Sequence, residues 1–330
     1  MALVSTMSFL RIQKPADFPD NLKGGVVAIG NFDGVHRGHQ SVLNTAVKLA
    51  ELSGVSATVL TFEPHPRTVF KPDAPVFRLT PAPLKAELIE NLGFDCVIEH
   101  TFDRDFAGTN AIDFVEDVLQ NKLNVSHVVT GYDFHFGKGR EGSPQFLAAN
   151  GERLGFATTI VQAFNDEGGG VVSSTRIREC LAEGDISEAN GLLGFCYRAS
   201  GIVSKGRQVG RELGYPTANL AMPAECTLCH GIYAVKVRLA DGSILDGVAS
   251  YGRRPTFDNG EALLETFIFD FSGDLYDQEI TVFIHGYLRA EEKFSSVEAL
   301  IEQMDKDSEE ARAILSAIAP EKGMWPTPQI

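Results

Sequence analysis

A repeated alternation limits most severely the folds open to this chain. Five times within the first 190 residues, a short apolar run is followed by an amphipathic stretch of helix length. The apolar runs lie at 26–32, 55–62, 96–99, 127–130 and 158–163, and the helical stretches at 40–52, 84–92, 111–123, 144–154 and 175–183. Strands that alternate with helices must run parallel and be covered by those helices, so this half is expected to be an α/β domain built on a parallel sheet. After about residue 190 the rhythm changes. Runs rich in β-branched and aromatic residues at 199–203, 232–239, 244–249, 263–271 and 280–288 are separated by Gly, Asp and Asn turns, the signature of an antiparallel barrel or sandwich. One acidic helix is expected at 297–318, with Leu300, Ile301, Met304, Ala311, Leu315 and Ile318 as its apolar stripe and Asp305–Glu310 as a solvated face. The 330 residues suit two domains, divided as 1–186 and 187–330.

Charge excludes some partners. With 29 basic and 44 acidic residues the net charge is −15, which repels a phosphate backbone or an anionic leaflet, so neither nucleic acid nor membrane is an expected partner. No apolar stretch approaches the roughly 18 residues of a membrane helix, and residues 1–10 lack the basic start and apolar core of an export signal. A cytoplasmic location is expected. Five scattered cysteines, Cys96, Cys180, Cys196, Cys226 and Cys229, read as reduced thiols. Cys226, Cys229 and His230 spell CxxCH, but a lone CxxC with one His and no second half is a poor metal or haem site.

Chemistry concentrates first where the 26–32 run meets its helix, in Gly30-Asn31-Phe32-Asp33-Gly34-Val35-His36-Arg37-Gly38-His39. A loop that ends on a helix N-terminus offers free N–H groups and the positive end of the dipole to an anion, and Gly34 and Gly38 let a phosphate approach the main chain. His36 and His39 can both donate to charge growing on a pentacoordinate phosphorus. A second phosphate signature opens the last helix of this half, Ser173-Ser174-Thr175-Arg176-Ile177-Arg178, where Ser174 or Thr175 can cap and Arg178 can grip pyrophosphate. The segment Gly137–Gly142 also satisfies GxGxxG, but it follows the fourth strand instead of the first and so does not read as a dinucleotide fingerprint. A Walker A pattern is absent, so any kinase chemistry is not of the P-loop kind.

A second constellation starts the later half. Gly206, Gly210 and Gly214 are interleaved with Lys205, Arg207 and Arg211, a local cationic loop suited to covering polyphosphate. Just beyond it, Thr217 and Asn219 alternate along an extended run and offer two oxygens to Mg²⁺. Glu265 lies within the apolar run Ala262–Phe271, where it is either on an outward face or a base in a cleft; alternation alone favours the outward face.

The motifs GNFDGVHRGHQ, SSTRIR, TFEPHPR and GYDFHFGKGREG, followed by GRELGYPTAN, HGIYAV, ASYGRRPTF, LETFIFDFSGDLYD and LRAEEKF, resemble the bacterial bifunctional riboflavin kinase/FAD synthetases over nearly the whole chain. The resemblance implies a Rossmann-like nucleotidylyltransferase domain and an antiparallel β-barrel riboflavin kinase domain with a C-terminal helix. It implies ATP as co-substrate and Mg²⁺ as cofactor, riboflavin and FMN as substrates, and possible delivery of product to apoflavoproteins. On the adenylyl-transfer side it implies phosphate contacts from Gly30, Asn31, Phe32, Asp33, Gly34, His36, Gly38 and His39, and nucleotide or metal positioning by Asp133. Triphosphate contacts from Ser174, Thr175 and Arg178 and a flavin contact from Arg67 complete that side. On the kinase side it implies Glu265 as the base, Mg²⁺ on Thr217 and Asn219, ATP on Gly206, Arg207, Gly210 and Arg211, and flavin near Arg289. The competing readings are a chain with one activity and a flavin-sensing module; neither needs a complete set of reactive residues in both halves.

Overall fold

The structure, a computed structural model, describes residues 8–205, 214–253, 262–319 and 325. Packing divides the chain into a unit that runs to Ser174 and a second unit, Thr175–Trp325.

The first unit contains β1 (Leu10–Ile12), β2 (Val26–Ile29), α1 (Arg37–Ser53), β3 (Ala57–Glu63), α2 (Pro66–Phe70), α3 (Ala82–Asn91), β4 (Cys96–Thr101), α4 (Arg104–Ala107), α5 (Ala111–Asp113), β5 (His127–Gly131), α6 (Pro144–Leu154) and β6 (Ala157–Val161). The expected helix at 111–123 is present as α5 followed by a π-helical stretch, Phe114–Lys122. All strand pairs are parallel, in the order β1-β4-β3-β2-β5-β6. The parallel sheet follows the expectation and gains β1, an edge strand of three residues that is too short to carry a period. Every residue of β2 is buried, with Ile29 paired to Leu60 on one side and Thr130 on the other. The chain leaves β2 toward β3 and later returns to its other flank as β5, so the strand order reverses between β2 and β5. Crevices at such reversals, beyond the carboxyl ends of the strands, are where open α/β sheets bind ligands.

The second unit holds α7 (Ser174–Glu183), α8 (Ile186–Leu193), β7 (Arg198–Ile202), β8 (Thr217–Met222), β9 (Gly231–Arg238), β10 (Ile244–Arg253), β11 (Ala262–Ile268), β12 (Glu279–Arg289) and α9 (Val297–Ser316). Its strands are antiparallel in the order β7-β12-β9-β10-β11-β8, and a bridge between Ser204 and Asn219 brings the two ends of the sheet together as a barrel. The expected division falls between 186 and 187, yet α7 and α8 pack with the barrel: Cys229 N–H donates to Leu181 O at 2.9 Å, and Asn190 Nδ2 donates to Ile284 O at 2.9 Å. β11 stops at Ile268, short of the expected 271, because the chain turns at Asp270, whose φ is +56°. Ala311 and Leu315 of α9 are buried against Ala234 and Phe269. Register shifts in β12 at Ile284/Gly286 and Tyr287/Arg289 bend the strand. Gly231 permits that bend, since a Cβ there would lie 2.4 Å from the Arg289 carbonyl.

Candidate active sites

In the first unit β2 ends at Ile29, three residues before the apolar run does, because the backbone turns sharply through residues 30–36. Phe32 (φ +48°), Gly34 (+93°) and Val35 (+41°) all occupy the left-handed region, which is unusual for Phe and an outlier for a β-branched Val. Both side chains compensate by burial, the Phe32 ring folding back over Gly30. His36 then caps α1, its Nδ1 accepting the His39 N–H at 3.2 Å, so a neutral His36 carries its proton on Nε2. The His36 and His39 rings stack with centroids 3.6 Å apart, and Phe32 meets His39 edge-on at 5.4 Å. Two imidazoles thus share one face of the helix start. Gly38 is fitted between the His36 ring and the Val172 carbonyl, 3.1 and 3.3 Å from where its Cβ would be.

The other residues expected to serve adenylyl transfer have different surroundings. Asn31 has an exposed side chain, but its carbonyl accepts from Lys85 Nζ at 3.2 Å and Thr61 Oγ1 at 3.0 Å. Asp33, expected at phosphate, is buried, and its carboxylate accepts from Thr80 N, Leu79 N and Arg78 Nε at 3.2–3.4 Å. It braces the neighbouring loop instead of facing outward. Ser174 begins α7 and donates to the Asp33 carbonyl at 2.8 Å; Thr175 is exposed and Arg178 half-buried one turn along. Asp133 is exposed on the turn after β5, across the strand reversal from the His36 loop. Arg67 is exposed on α2, which also carries Phe70, and Phe70 packs on Phe102 at 5.9 Å. Phe102 belongs with Phe62, His100 and Phe106 to an aromatic cluster that single-sequence reading did not assemble. The GxGxxG segment is a tight loop closed by Phe136 and Gly142.

Beneath the turn lies a charge network that sequence reading missed. Lys85 is fully buried and reaches Glu63 at 2.8 Å, while Arg78 makes two 2.7 Å bonds to the same carboxylate. Burial alone would raise the Glu63 pKa, but the Arg78 bonds and the Lys85 charge overcome it and hold the carboxyl down at about 2. A carboxylate held below its ordinary value stabilises the fold above pH 4.5, and that contribution is lost as pH falls from there toward 2. Glu63→Gln is therefore expected to be less stable than wild type at neutral pH and to lose less stability on acidification, which chemical denaturation between about pH 6 and 3 measures.

In the second unit one cavity of about 1030 Å³ collects the kinase-side candidates: Thr217, Asn219, Glu265 and Arg289 all line it. Strand register explains the convergence. Asn219 pairs with Glu265, Glu265 with Ser250, Ser250 with Ile232 and Ile232 with Arg289, a single row across β8, β11, β10, β9 and β12. Directly opposed residues put their side chains on one face, and here that face is the cavity wall. Within β11, Leu264, Thr266 and Ile268 take the buried face, leaving Glu265 and Phe267 to the cavity side. Alternation alone could not tell this wall from solvent. Among the described residues Asn219 Oδ1 is buried and accepts no hydrogen bond, while its Nδ2 donates to Thr217 O at 3.3 Å. Two hard oxygens on adjacent same-face positions, one of them awaiting a partner, fit a Mg²⁺ ion. Lys205 lies over the Tyr276 ring at the cavity, 5.7 Å from its centroid; Gly206, Arg207, Gly210 and Arg211 lie outside the described residues.

One expectation is corrected at this wall, that for Asp307. Arg289, expected at flavin, lines the cavity, and its Nε and Nη2 donate to Asp307 at 2.8 and 2.6 Å and its Nη1 to Ala290 O at 2.9 Å. Asp307 was expected on a solvated face, yet it is 4% exposed, and Gln303 adds a third bond at 2.9 Å. Together with a hydrogen bond from Tyr215 to Asp305, this pair fastens α9 as a wall of the cavity, to which Leu300 and Met304 contribute.

The FAD synthetase family model matches residues 18–176 and the riboflavin kinase family model residues 193–315. The chain is 40% identical over 296 residues to the bifunctional riboflavin kinase/FMN adenylyltransferase of Haemophilus influenzae, covering 90% of this chain and 96% of that one. To the Escherichia coli K12 protein of the same description it is 37% identical, covering 90% and 95%. Among solved structures it resembles the macrolide-efflux protein from Streptococcus pneumoniae, with TM-score 0.81, 30% identity, and coverage of 92% and 98%. Among the described residues no helix is long and apolar enough to cross a membrane.

Proposed function

Given that this chain belongs to the family of bifunctional riboflavin kinase/FMN adenylyltransferases, we propose how its own side chains divide the two reactions. It phosphorylates riboflavin to FMN with ATP, then joins FMN to the adenylyl group of a second ATP to give FAD and pyrophosphate. The first reaction attacks the γ-phosphorus and the second the α-phosphorus, so two sites are required. Adenylyl transfer is assigned to residues 1–186 and riboflavin phosphorylation to 187–330.

The row Ser250–Glu265–Asn219 on the cavity wall carries the kinase assignment. Glu265 takes the proton of the ribityl 5′-hydroxyl as that oxygen bonds to the γ-phosphorus and the bond to ADP breaks. Thr217 and Asn219 hold Mg²⁺, which supplies neutralisation of the phosphate charge when bound. Lys205, with Gly206, Arg207, Gly210 and Arg211, is assigned to the triphosphate.

For adenylyl transfer, a phosphate oxygen of FMN attacks the α-phosphorus while pyrophosphate leaves. His36, donating from Nε2, and His39 stabilise the charge on the pentacoordinate phosphorus, and N–H groups at the α1 N-terminus add to it. Arg178 and the Ser174–Thr175 helix start serve pyrophosphate, and Asp133 positions the nucleotide. The work belongs in the cytoplasm, from which FAD passes to apoflavoproteins.

Purified chain given riboflavin, ATP and Mg²⁺ is expected to form FMN and then FAD, as followed by flavin chromatography. Appearance of neither would refute the reading, and appearance of FMN alone would reduce it to a single activity.

A further inference from the structure

Lys85 is unexplained by either reaction as described. An ammonium with no exposed surface is costly unless fully paired, and a Met of similar length would pack there without that cost. Its three donors are all used: Glu63 Oε1 at 2.8 Å, Thr61 Oγ1 at 3.0 Å and Asn31 O at 3.2 Å. The last of these belongs to the turn that presents His36 and His39. Within the turn the Val35 N–H donates to Phe32 O at 3.1 Å, and further ties come from outside it. Thr80 Oγ1 accepts the Gly34 N–H at 2.8 Å, Thr80 N donates to Asp33 at 3.2 Å, Ser174 donates to Asp33 O at 2.8 Å, and Gln40 Nε2 donates to Val35 O at 2.8 Å. These ties reach a backbone that would not hold its shape unaided, since Phe32, Gly34 and Val35 are all at positive φ within four residues.

We propose that Lys85 and Thr80 are positioning residues for adenylyl transfer, locking the strained 31–35 turn so that the stacked His36 and His39 rings are held at the reacting phosphorus. The inference rests on the adenylyltransferase reading of this unit. Neither residue touches substrate. Lys85 fixes the entry of the turn through the Asn31 carbonyl, and Thr80 fixes its middle through the Gly34 amide. Displacement of about 1 Å at the reacting groups can cost about 10²-fold in rate, which is the size of effect a released turn should show.

The test uses the full chain, with its riboflavin kinase activity as an internal control of folding. Lys85→Met is expected to lower kcat for FAD formation from FMN by about 10²-fold and Thr80→Val by about 10-fold, with KM for FMN and ATP changed less than about twofold. Thr80→Ser, which keeps the hydroxyl, is expected to restore wild-type kcat, and FMN formation from riboflavin is expected to be unaltered in all three. A purely structural role would lower thermal stability without this kcat-only pattern and its rescue by Ser. Wild-type kcat in folded Thr80→Val and Lys85→Met overturns the proposal. So does a Thr80→Ser variant as slow as Thr80→Val. If Lys85→Met does not fold, the Thr80 pair decides by the same criteria. Failure of the wild-type chain to make FAD from FMN would instead remove the reading on which the proposal stands.

Discussion

Glu265→Gln lowers the rate of FMN formation from riboflavin by about 10³-fold and leaves FAD formation from supplied FMN at the wild-type rate. The substitution changes one atom in the carboxylate plane, so the β11 pairing with Asn219 and Ser250 and the packing against Phe267's side of the strand are retained. What is lost is the ability to accept a proton. A ribityl hydroxyl attacking phosphorus must shed its proton, and a positioned base contributes about 10²–10⁴-fold to such steps. Gln at this position has no basic site, so the loss should fall on kcat more than on KM for either substrate. The second activity is spared because its assigned reactive residues, His36 and His39, come from the other unit. Assaying the two half-reactions separately on one preparation checks this. Loss of both activities in a folded protein sinks the two-site assignment, and retention of FMN formation removes Glu265 as the base.

Legibility in the sequence followed the range of the interaction that decides each feature. The parallel sheet and the antiparallel strands were readable because period and turn residues are local signals, and so was the His36–His39 turn, which needs only a strand end, glycines and a helix start. Position on a wall was not readable. Glu265 could be placed in a cleft only through pairing with Asn219, forty-six positions away, and through the closure of the barrel at Ser204. Asp307 reads as one more acidic residue on a charged helix until Arg289, eighteen residues back, is brought beside it by the bend of β12. Lys85 sits in an unremarkable helical stretch, Ala82–Asn91, and becomes informative only when β3 supplies Glu63 and Thr61 and the turn supplies the Asn31 carbonyl. For Asp307 and Lys85, a charged residue that looks solvated from its neighbours in sequence is buried by partners contributed from other elements. Burial of charge is settled by tertiary pairing, and hydropathy patterns carry no record of it.

His36→Asn and His39→Ala each lower FAD formation by at least about 10²-fold and leave riboflavin phosphorylation intact. The choice of Asn at 36 is dictated by the cap. His36 Nδ1 accepts the His39 N–H, and removing that acceptor with Ala would cost about 1 kcal/mol and fray the start of α1, confusing loss of chemistry with loss of the helix. Asn is a good N-cap and keeps the acceptor while deleting the imidazole. His39→Ala leaves the cap in place but removes the ring stacked at 3.6 Å on His36, so the remaining imidazole loses the neighbour that fixes its plane. The two changes should therefore be far from additive: the double variant is expected to be only slightly slower than the slower single, because either one already disables the pair. Single-turnover conversion of bound FMN and ATP to FAD, measured for wild type, both singles and the double, separates this chemical defect from binding. If His36→Asn turns over like wild type, the imidazole is not the donor to the phosphorus. Strictly multiplicative losses in the double would show instead that the two rings act independently.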